Sequence, residues 1–414
     1  MSPHAPACLP GTAGRPPSAP PWEVADLFRL YGDTYRRAHP VPPSHQQVMR
    51  DLEVCRTAQL GGHAARCLTW GGERYAYNAC RNRHCPTCQT FTQVQWVEHR
   101  NAELLPVPYF HLVFTVPHAL NPLILAHKQP LLTLLFKAAS QTLGQFGQRN
   151  LGGQIGGTMV LHTWDQTLGA HCHVHCVIAA GALSAHGARW READSRFLFP
   201  VRALSTVCRG KFCAARARLW TTGALPCPEE PPTGKSPAAF ALRRAQLYTK
   251  EWVVYATPPF PGPAYVLDYV GRYPQRVAIA NHRGLDVRDG RVRFAYRNRR
   301  QDNRLQAMTL DAHELIRRCL LHVFPHGCMR LRHYGFLANR YKARTLRRCR
   351  ALLGQPSPRH PQSVVQWRQE GTGIDLPQCP HCGARPLVRR PLPHLALPAA
   401  TRGVPVTVPL DDAS

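Results

Sequence analysis

The sequence predicts an α+β fold, with helices packed on an antiparallel sheet, a small cysteine-rich domain before it and a basic helical region after it. Three observations lead to this prediction. β-branched and aromatic runs at 109–117, 158–164 and 173–181 have the composition of strands, and the last two are close enough to form an antiparallel hairpin. Apolar residues at helical spacing occupy 130–146. Cysteines and histidines are concentrated between Cys55 and Cys88.

The flanking segments follow the same reasoning. Residues 1–21 are rich in Pro, Ala and Gly and carry too little apolar surface to offset the entropy of ordering them, so a disordered tail is expected. Apolar spacing from Trp22 to Leu60 predicts helices that lead into the cysteine-rich stretch. Helical spacing recurs at 204–220, 264–273 and 317–354, whereas 291–298 alternates as a strand does.

The charge balance points to a polyanionic partner. Lysine and arginine number 52 against 24 aspartates and glutamates, which gives a net charge of +28. Nucleic acid is the expected partner, because neutralised phosphates release condensed counterions. No apolar run of about 18 residues is present to cross a bilayer, and 1–21 lacks the basic start and apolar centre of a signal peptide. A cytoplasmic protein without a membrane partner is therefore expected.

A Gly-Lys-Ser sequence at 234–236 suggests a nucleotide site, but its context excludes one. The loop that cradles phosphates needs a glycine five residues before Gly234, and Glu229 occupies that position. The surrounding stretch, 227–237, is instead rich in proline and reads as a loop. No nucleotide cofactor is expected.

The cysteines indicate metal binding. Sixteen of them in a chain without an export signal are better interpreted as reduced thiols than as disulfides. Cys85 and Cys88 have the two-residue gap that lets one turn offer two thiolates to zinc. Structural zinc is predicted, with His84 held as a further candidate ligand and Cys379-Pro-His-Cys382 as only half a site. The predicted zinc ligands are Cys55, His63, Cys67, Cys80, Cys85 and Cys88.

Two pairs of residues suggest a reaction centre. His173 and His175 project to the same face of a strand, so that they present two imidazoles side by side. Tyr269 and Tyr273 lie four residues apart in a segment with helical spacing, so that both hydroxyls can face one site. Each pair by itself is more often structural. The combination, in a basic chain, favours catalysis on a phosphodiester.

The sequence resembles the rolling-circle transposases of the insertion sequence 91 family, which belong to the HUH endonuclease superfamily. The resemblance runs from about Cys55 to Gly354 and rests on several distinctive segments. These are RTAQLGGH, YNACRNRHCPTCQ, FHLVFTVPHALNPL, HTWDQTLGAHCHVHCVIAAGAL, YVLDYVGRYPQRVAIANHR and RLRHYGFLANR.

The resemblance implies a transposase that cleaves and rejoins single-stranded DNA at element ends and target DNA through a 5′-phosphotyrosine. It maps the nucleophiles to Tyr269 and Tyr273 and a catalytic Mg or Mn to His173 and His175. It also implies an N-terminal zinc-binding domain, whose relatives carry a cysteine where this chain has Trp70, so that one or two zincs remain possible. The alternatives are a plasmid replication initiator or relaxase-like nickase, and a catalytically decayed zinc-dependent DNA-binding protein.

Two details of this centre remain open at the level of sequence. Two imidazoles do not fill a six-coordinate shell, so a third protein ligand is expected. Because Pro274 pushes the residue before it out of the helical region, Tyr269 is the preferred nucleophile over Tyr273. The candidates for the third ligand are Asp165, Gln166, His171 and Gln275.

These expectations divide the chain into five parts. After the tail at 1–21 come a zinc-binding domain at 22–100 and an HUH-like catalytic domain at 105–300. A basic helical extension at 301–354 and a Pro-rich tail at 355–414 complete the chain. Basic residues are expected to meet phosphates, and Tyr334, Phe336 and Tyr341 to stack on bases or join the core. The predicted DNA-binding residues are Arg209, Lys211, Arg332, Arg340, Lys342 and Arg344.

Overall fold

The computed structural model describes most of the chain between Trp22 and His394. The described ranges are 22–69, 71–194, 198–225, 237–250, 252–260, 279–298, 301–355, 379, 381–383, 385 and 387–394. The fold is α+β with antiparallel sheets, as the sequence predicts. The disordered tail expected at 1–21 and the Pro-rich loop expected at 227–237 lie outside the described residues, except for Pro237 at the start of a helix.

The helices and strands follow in chain order. The N-terminal part contains α1 (Val24–Ala38), α2 (Pro43–Glu53), β1 (Gly62–Cys67), β2 (Glu73–Tyr77) and α3 (Pro86–Asn101). The central part contains β3 (Tyr109–Thr115), α4 (Asn121–Ala126), α5 (Lys128–Leu151), β4 (Gly153–Trp164), β5 (Ala170–Ser184), β6 (Trp190–Glu192), α6 (Val201–Thr221), α7 (Pro237–Thr249) and β7 (Val254–Ala256). The C-terminal part contains β8 (Gly284–Arg288), β9 (Arg291–Asn298), β10 (Arg304–Asp311), α8 (Ala312–Leu321), β11 (Leu331–Gly335), α9 (Lys342–Leu352) and β12 (Leu387–Leu392).

The central sheet has the order β11-β4-β5-β3-β7, with β6 paired to the far end of β5. All of its described pairings are antiparallel. The β4–β5 pair is the predicted hairpin, longer at both ends than its apolar pattern suggested. Alternation along β5 sends Cys172, Val174, Cys176 and Ile178 into a core with α5 and α6. The histidines between them therefore project from the opposite face.

That opposite face is covered over only part of its length. Val177 and Ala179, further along β5, pack in a core cluster with Phe336, Leu346 and Cys349. This cluster holds α9 against the sheet and stops short of the histidines. A cleft is left over the histidine end of the sheet.

The region 317–354, expected to be helical, departs from the prediction in its middle. α8 ends at Leu321 and α9 begins at Lys342, but Leu331–Gly335 is strand β11. It pairs with β4, from Leu331 opposite Val160 to Gly335 opposite Gly156. The apolar spacing there was compatible with a helix. The open edge of β4, which lies far away in sequence, selects a strand instead.

Two three-stranded sheets flank the central one, with the orders β10-β9-β8 and β12-β1-β2. A second core cluster joins α1 and α2 to Phe294 of β9 and to Leu315 and Ile316 of α8. The N-terminal helices therefore share their core with residues about 240 positions later, so the predicted boundary at 100 does not separate two cores. Within the described residues, no helix is long and apolar enough to span a lipid bilayer.

Candidate functional site

Three imidazoles converge on the open face of the central sheet. In the register of the hairpin, His162 of β4 lies directly opposite His173 of β5. Two residue pairs further along, His175 faces Val160 on one side and Val113 of β3 on the other. Directly opposed residues point to the same face of a sheet. One ring nitrogen from each of His162, His173 and His175 lies within 4.8 Å of the others, and all three side chains are buried.

The spacing of two of these nitrogens fits a metal shell. The Nε2 atoms of His173 and His175 are 3.0 Å apart. Neighbouring ligands at about 2.1 Å from an octahedral cation are separated by about 3.0 Å. Two neutral imidazoles with both lone pairs turned inward would repel each other, and a cation between them removes that repulsion. The arrangement therefore suits a divalent metal, and three imidazoles suit Mn better than Mg, which prefers oxygen.

The outer nitrogens of the pair have fixed partners. His173 Nδ1 donates to the carbonyl oxygen of His171 at 2.8 Å, which leaves its Nε2 with a lone pair. His175 Nδ1 lies 2.9 Å from Nε2 of His111 on β3. Burial lowers the pKa of His111 to about 4, so this ring is neutral and can accept the proton of His175 Nδ1. His111 thereby orients His175, as the outer partners of metal-bound histidines do.

Sequence reasoning named neither His162 nor His111. The signal for His162 was present, because a hairpin with strands at 158–164 and 173–181 places residues 162 and 173 opposite each other in one of its possible registers. The ring of His162 is stacked on Trp164, with centroids 4.7 Å apart. His111 depends on a third strand whose register no local pattern determines.

The proposed third ligands occupy other positions. Asp165 Oδ1 accepts from the backbone N–H groups of Thr167 and Gly169 and from the Thr167 hydroxyl, so this carboxylate fixes the hairpin turn. The backbone carbonyl of Gln166 accepts from Arg283 at 2.6 Å. His171 lies at the edge of the group, with its ring 4.7 Å from that of His173. Gln275 lies outside the described residues.

His173 and His175 border a cleft of about 900 Å³. Its walls include His118 and His171 on one side and Lys250 and Tyr255 on another, with Asn303 at its rim. A cleft of this volume has room for an extended chain of a few nucleotides. Tyr269 and Tyr273, the predicted nucleophiles, lie outside the described residues. Tyr255 of β7 is a described tyrosine on the cleft wall, and it is 58 % exposed.

The hairpin turn next to this site is tightly anchored. Leu168 at its tip is fully buried in the core cluster of α1, α2 and α8. Arg318 of α8 donates to the carbonyl oxygen of Thr167 at 2.8 Å, and His322 Nε2 donates to that of Leu168 at 3.1 Å. The turn that connects His162 to His173 is therefore held in place by the C-terminal part of the fold.

Four of the predicted zinc ligands form one group. The sulfur atoms of Cys55, Cys80, Cys85 and Cys88 lie within 4.8 Å of one another. The Cys88 sulfur is 3.5 Å from those of Cys55 and Cys80. Ligands at about 2.3 Å from a tetrahedral zinc are about 3.8 Å apart, so the set fits a four-thiolate structural site. Three of the sulfurs belong to buried residues that join the core of α1 and α2.

The remaining predicted ligands are elsewhere. His63 lies on β1, opposite Ala76 and Pro391, outside the four-thiol group. His84 Nε2 accepts from the backbone of Phe324 and its Nδ1 donates to Asn82, so both nitrogens are engaged. Burial lowers the pKa of His84 to about 3, which keeps the ring neutral. Cys67 lies beside two C-terminal cysteines instead.

The zinc group and the histidine group are connected by one loop. Arg83, between Cys80 and Cys85, donates to the carbonyl oxygens of Phe324, Pro325 and Cys328. These three carbonyls belong to the loop between α8, which holds the hairpin turn, and β11, which pairs with β4. Arg83 therefore links the four-thiol group to the segment between α8 and β11, two elements that contact the β4–β5 hairpin.

Removing one thiol of this group tests its role. We expect Cys85→Ser to lower the zinc content by one equivalent per chain and to destabilise the N-terminal part, because structural zinc contributes about 10 kcal/mol or more to small metal-dependent folds. Zinc content and thermal unfolding measure both effects. The control is His63→Ala, which should keep the wild-type zinc content. Zinc loss in His63→Ala with retention in Cys85→Ser would contradict the four-thiol assignment.

The predicted DNA-binding residues fall into two groups. Arg209 donates to the carbonyl oxygen of Tyr248, Arg332 covers the Phe136 ring at 4.5 Å, and Lys342 pairs with Glu103 at 2.6 Å. Lys211 is half-buried on α6. Arg340 and Arg344 are exposed, as are Arg347 and Arg348 on α9. Of the proposed stacking residues, Phe336 is buried, Tyr334 is partly buried against the core that contains α5 and α6, and Tyr341 is exposed.

Two regions of the chain match known protein families. Residues 27–116 match the family described as "Transposase zinc-binding domain", and 156–344 match the family described as "Putative transposase". The chain is 45% identical over 368 residues to "Putative transposase y4qJ" of Sinorhizobium fredii (strain NBRC 101917 / NGR234), covering 87% of this chain and 92% of that protein. It is 28% identical over 355 residues to "Transposase for insertion sequence element IS801" of Pseudomonas savastanoi pv. phaseolicola, covering 81% and 83%. No solved structure matches the chain.

Proposed function

The chain belongs to the insertion sequence 91 family of transposases, and from that premise we propose that it cuts and rejoins single-stranded DNA at the ends of its element through a 5′-phosphotyrosine, in rolling-circle transposition. The observation that carries the proposal is the convergence of His162, His173 and His175, of which His173 and His175 line the cleft. The relative from Pseudomonas savastanoi pv. phaseolicola, a transposase by its name, favours transposition over plasmid replication.

We assign His162, His173 and His175 as the ligands of a catalytic Mn or Mg ion. When bound, the ion supplies positive charge that neutralises the phosphate oxygens and orients the scissile bond for in-line attack. The chain holds the three imidazoles on adjacent strands of one sheet, so their geometry is set before DNA arrives. By holding Nδ1 of His175, His111 keeps Nε2, the atom that would bind the metal, directed inward.

The proposed chemistry is an exchange of one phosphodiester for another. The Tyr269 oxygen attacks phosphorus, the bond from phosphorus to the 3′ oxygen breaks, and the phenol proton ends on the departing 3′ hydroxyl. The phenol has an ordinary pKa of about 10, so it must be activated near neutral pH. The bond energy stays in the phosphotyrosine, and a DNA hydroxyl can later reverse the step without ATP.

The cleft supports the proposed preference for single strands. It has room for an extended strand, and Lys250 contributes a cation to the wall. The exposed arginines of α9 supply phosphate contacts outside the cleft. The basic balance of the whole chain, +28, supports loading onto DNA before any specific contact forms.

The exposed arginines of α9 can be tested against the half-buried Arg332. We expect Arg344→Ala combined with Arg347→Ala to weaken single-strand binding and to reduce the magnitude of the salt slope by about 1.4, because each phosphate contact contributes about 0.7. Arg332→Ala should leave the slope unchanged and lower the melting temperature, since it removes packing on Phe136. Filter binding across a salt series measures the slopes. Equal slopes for all three proteins would contradict the placement of DNA on α9.

The proposed function is tested by a cleavage and joining assay. The full-length protein is incubated with labelled single-stranded element ends, an unlabelled target strand and Mn or Mg. We expect a covalent protein–DNA complex on a denaturing gel and a labelled product joined to the target. Cleavage without joining would instead indicate a replication initiator or relaxase-like nickase. Tight binding without cleavage would indicate a decayed, zinc-dependent DNA-binding protein.

A further inference from the structure

Three cysteines from opposite ends of the chain meet outside the four-thiol group. Cys67 ends strand β1 in the N-terminal sheet, and Cys379 and Cys382 precede strand β12. The sulfur atoms of the three residues lie within 4.8 Å of one another, and those of Cys67 and Cys382 are 3.4 Å apart. Cys67 and Cys379 are only 2 % and 3 % exposed, whereas Cys382 is exposed.

The backbone brings these thiols together through a strand pairing. β12 pairs antiparallel with β1 over six residues, from Gly62 opposite Leu392 to Cys67 opposite Leu387. β12 is the edge strand of its sheet, which is where Pro391 is tolerated. The pairing places the start of β12, and the Cys379-Pro-His-Cys382 turn just before it, beside Cys67.

The strand pairing has little apolar burial to support it. None of the six residues of β12 is buried, and four of them are exposed, including Arg389 and Arg390. A short edge strand whose side chains face water gains little from the hydrophobic effect. The ring that Cys67 and Cys382 close spans 315 residues, so its closure also costs chain entropy. The contact therefore requires a further source of binding energy.

We propose that Cys67, Cys379 and Cys382 bind a second zinc ion, which fastens the C-terminal segment to the N-terminal sheet. The two-residue gap of Cys379-Pro-His-Cys382 lets one turn present two thiolates, and Cys67 supplies the third from the neighbouring strand. Each thiol releases its proton on binding. Three thiolates leave the fourth position of a tetrahedral zinc to water or another side chain, so this site binds zinc more weakly than the four-thiol site.

The sequence around Cys67 gives a way to complete the proposed site. Cys67-Leu-Thr-Trp70 has the spacing of a two-thiolate turn with tryptophan at its last position. Trp70→Cys would give Cys67 the same arrangement as Cys379 and Cys382. A fourth thiolate should then tighten zinc binding at this site and leave the four-thiol site unchanged.

The experiment measures zinc and thiol reactivity in the full-length protein under reducing conditions. We expect two zinc equivalents per chain, one in Cys382→Ser and two in the control Cys319→Ala. A chelator should release the zinc of the three-thiolate site fast and that of the four-thiol site slowly. Trp70→Cys should slow the fast release at least tenfold. Cys67, Cys379 and Cys382 should resist alkylation until the zinc of their site leaves. One zinc equivalent in the wild-type protein, unchanged in Cys382→Ser, would overturn the proposal, as would alkylation of Cys382 that is equally fast before and after zinc removal.

Discussion

Replacing Tyr269 by phenylalanine is expected to abolish the covalent protein–DNA complex, because the substitution removes the attacking oxygen and leaves the ring in place. With labelled single-stranded ends and Mn, the denaturing gel should show no adduct above background. Tyr273→Phe should retain a measurable first adduct, since Pro274 makes Tyr273 the weaker candidate. The control is Tyr296→Phe on β9, which loses a hydroxyl that donates to Gln306 and should form the adduct at the wild-type level.

Two results would change this assignment. An adduct that persists in Tyr269→Phe would show that another residue attacks the phosphorus. Tyr255 would then be the first to test, because it projects from β7 into the cleft beside the histidines. An adduct lost in Tyr255→Phe and kept in Tyr269→Phe would move the nucleophile to the cleft wall.

Removal of His162 is expected to have the second large effect. His162→Ala takes away one of three ligands, so Mn affinity should fall by more than about 100-fold and cleavage should be lost at Mn concentrations that saturate the wild-type protein. His111→Ala removes only the partner of His175, for which a loss of about 10- to 100-fold is typical. High Mn should therefore restore cleavage in His111→Ala before His162→Ala.

The measurement is a Mn titration of cleavage together with Mn binding by calorimetry. Both histidines are buried, so thermal unfolding is recorded for each variant to separate metal loss from unfolding. If His162→Ala cleaves DNA with the Mn dependence of the wild-type protein, the third ligand lies elsewhere. Gln275, outside the described residues, would then become the candidate to examine.

Local patterns in the sequence predicted which histidines share one face of a strand. Alternation in β5 placed His173 and His175 on one face, and the hairpin was expected from its two strands. The third metal ligand was expected among Asp165, Gln166, His171 and Gln275. Strand register instead brings His162 opposite His173, whereas Asp165 binds the backbone of the turn.

The difference between local patterns and contacts set by distant parts of the chain also explains which zinc and DNA-binding residues lie where they were predicted. Four cysteines with close spacing formed one group, whereas His63 followed its own strand and Cys67 met partners 315 residues away at the far end of the chain. Nothing in the exposed, Pro-containing β12 predicts a strand. Arg332 and Lys342 were expected to face DNA, but long cationic side chains also pair and stack within a fold, and only their neighbours show which occurs.

The central claim is that the imidazoles of the sheet and the hydroxyl of Tyr269 act on one phosphate. Fluorine NMR on protein with 3-fluorotyrosine at position 269 measures this proximity directly, because bound Mn broadens only nearby signals. Addition of Mn should broaden the signal beyond detection, Mg should leave it sharp, and His173→Ala should prevent the broadening. A signal that stays sharp while Mn is shown to occupy the histidine site would contradict the account.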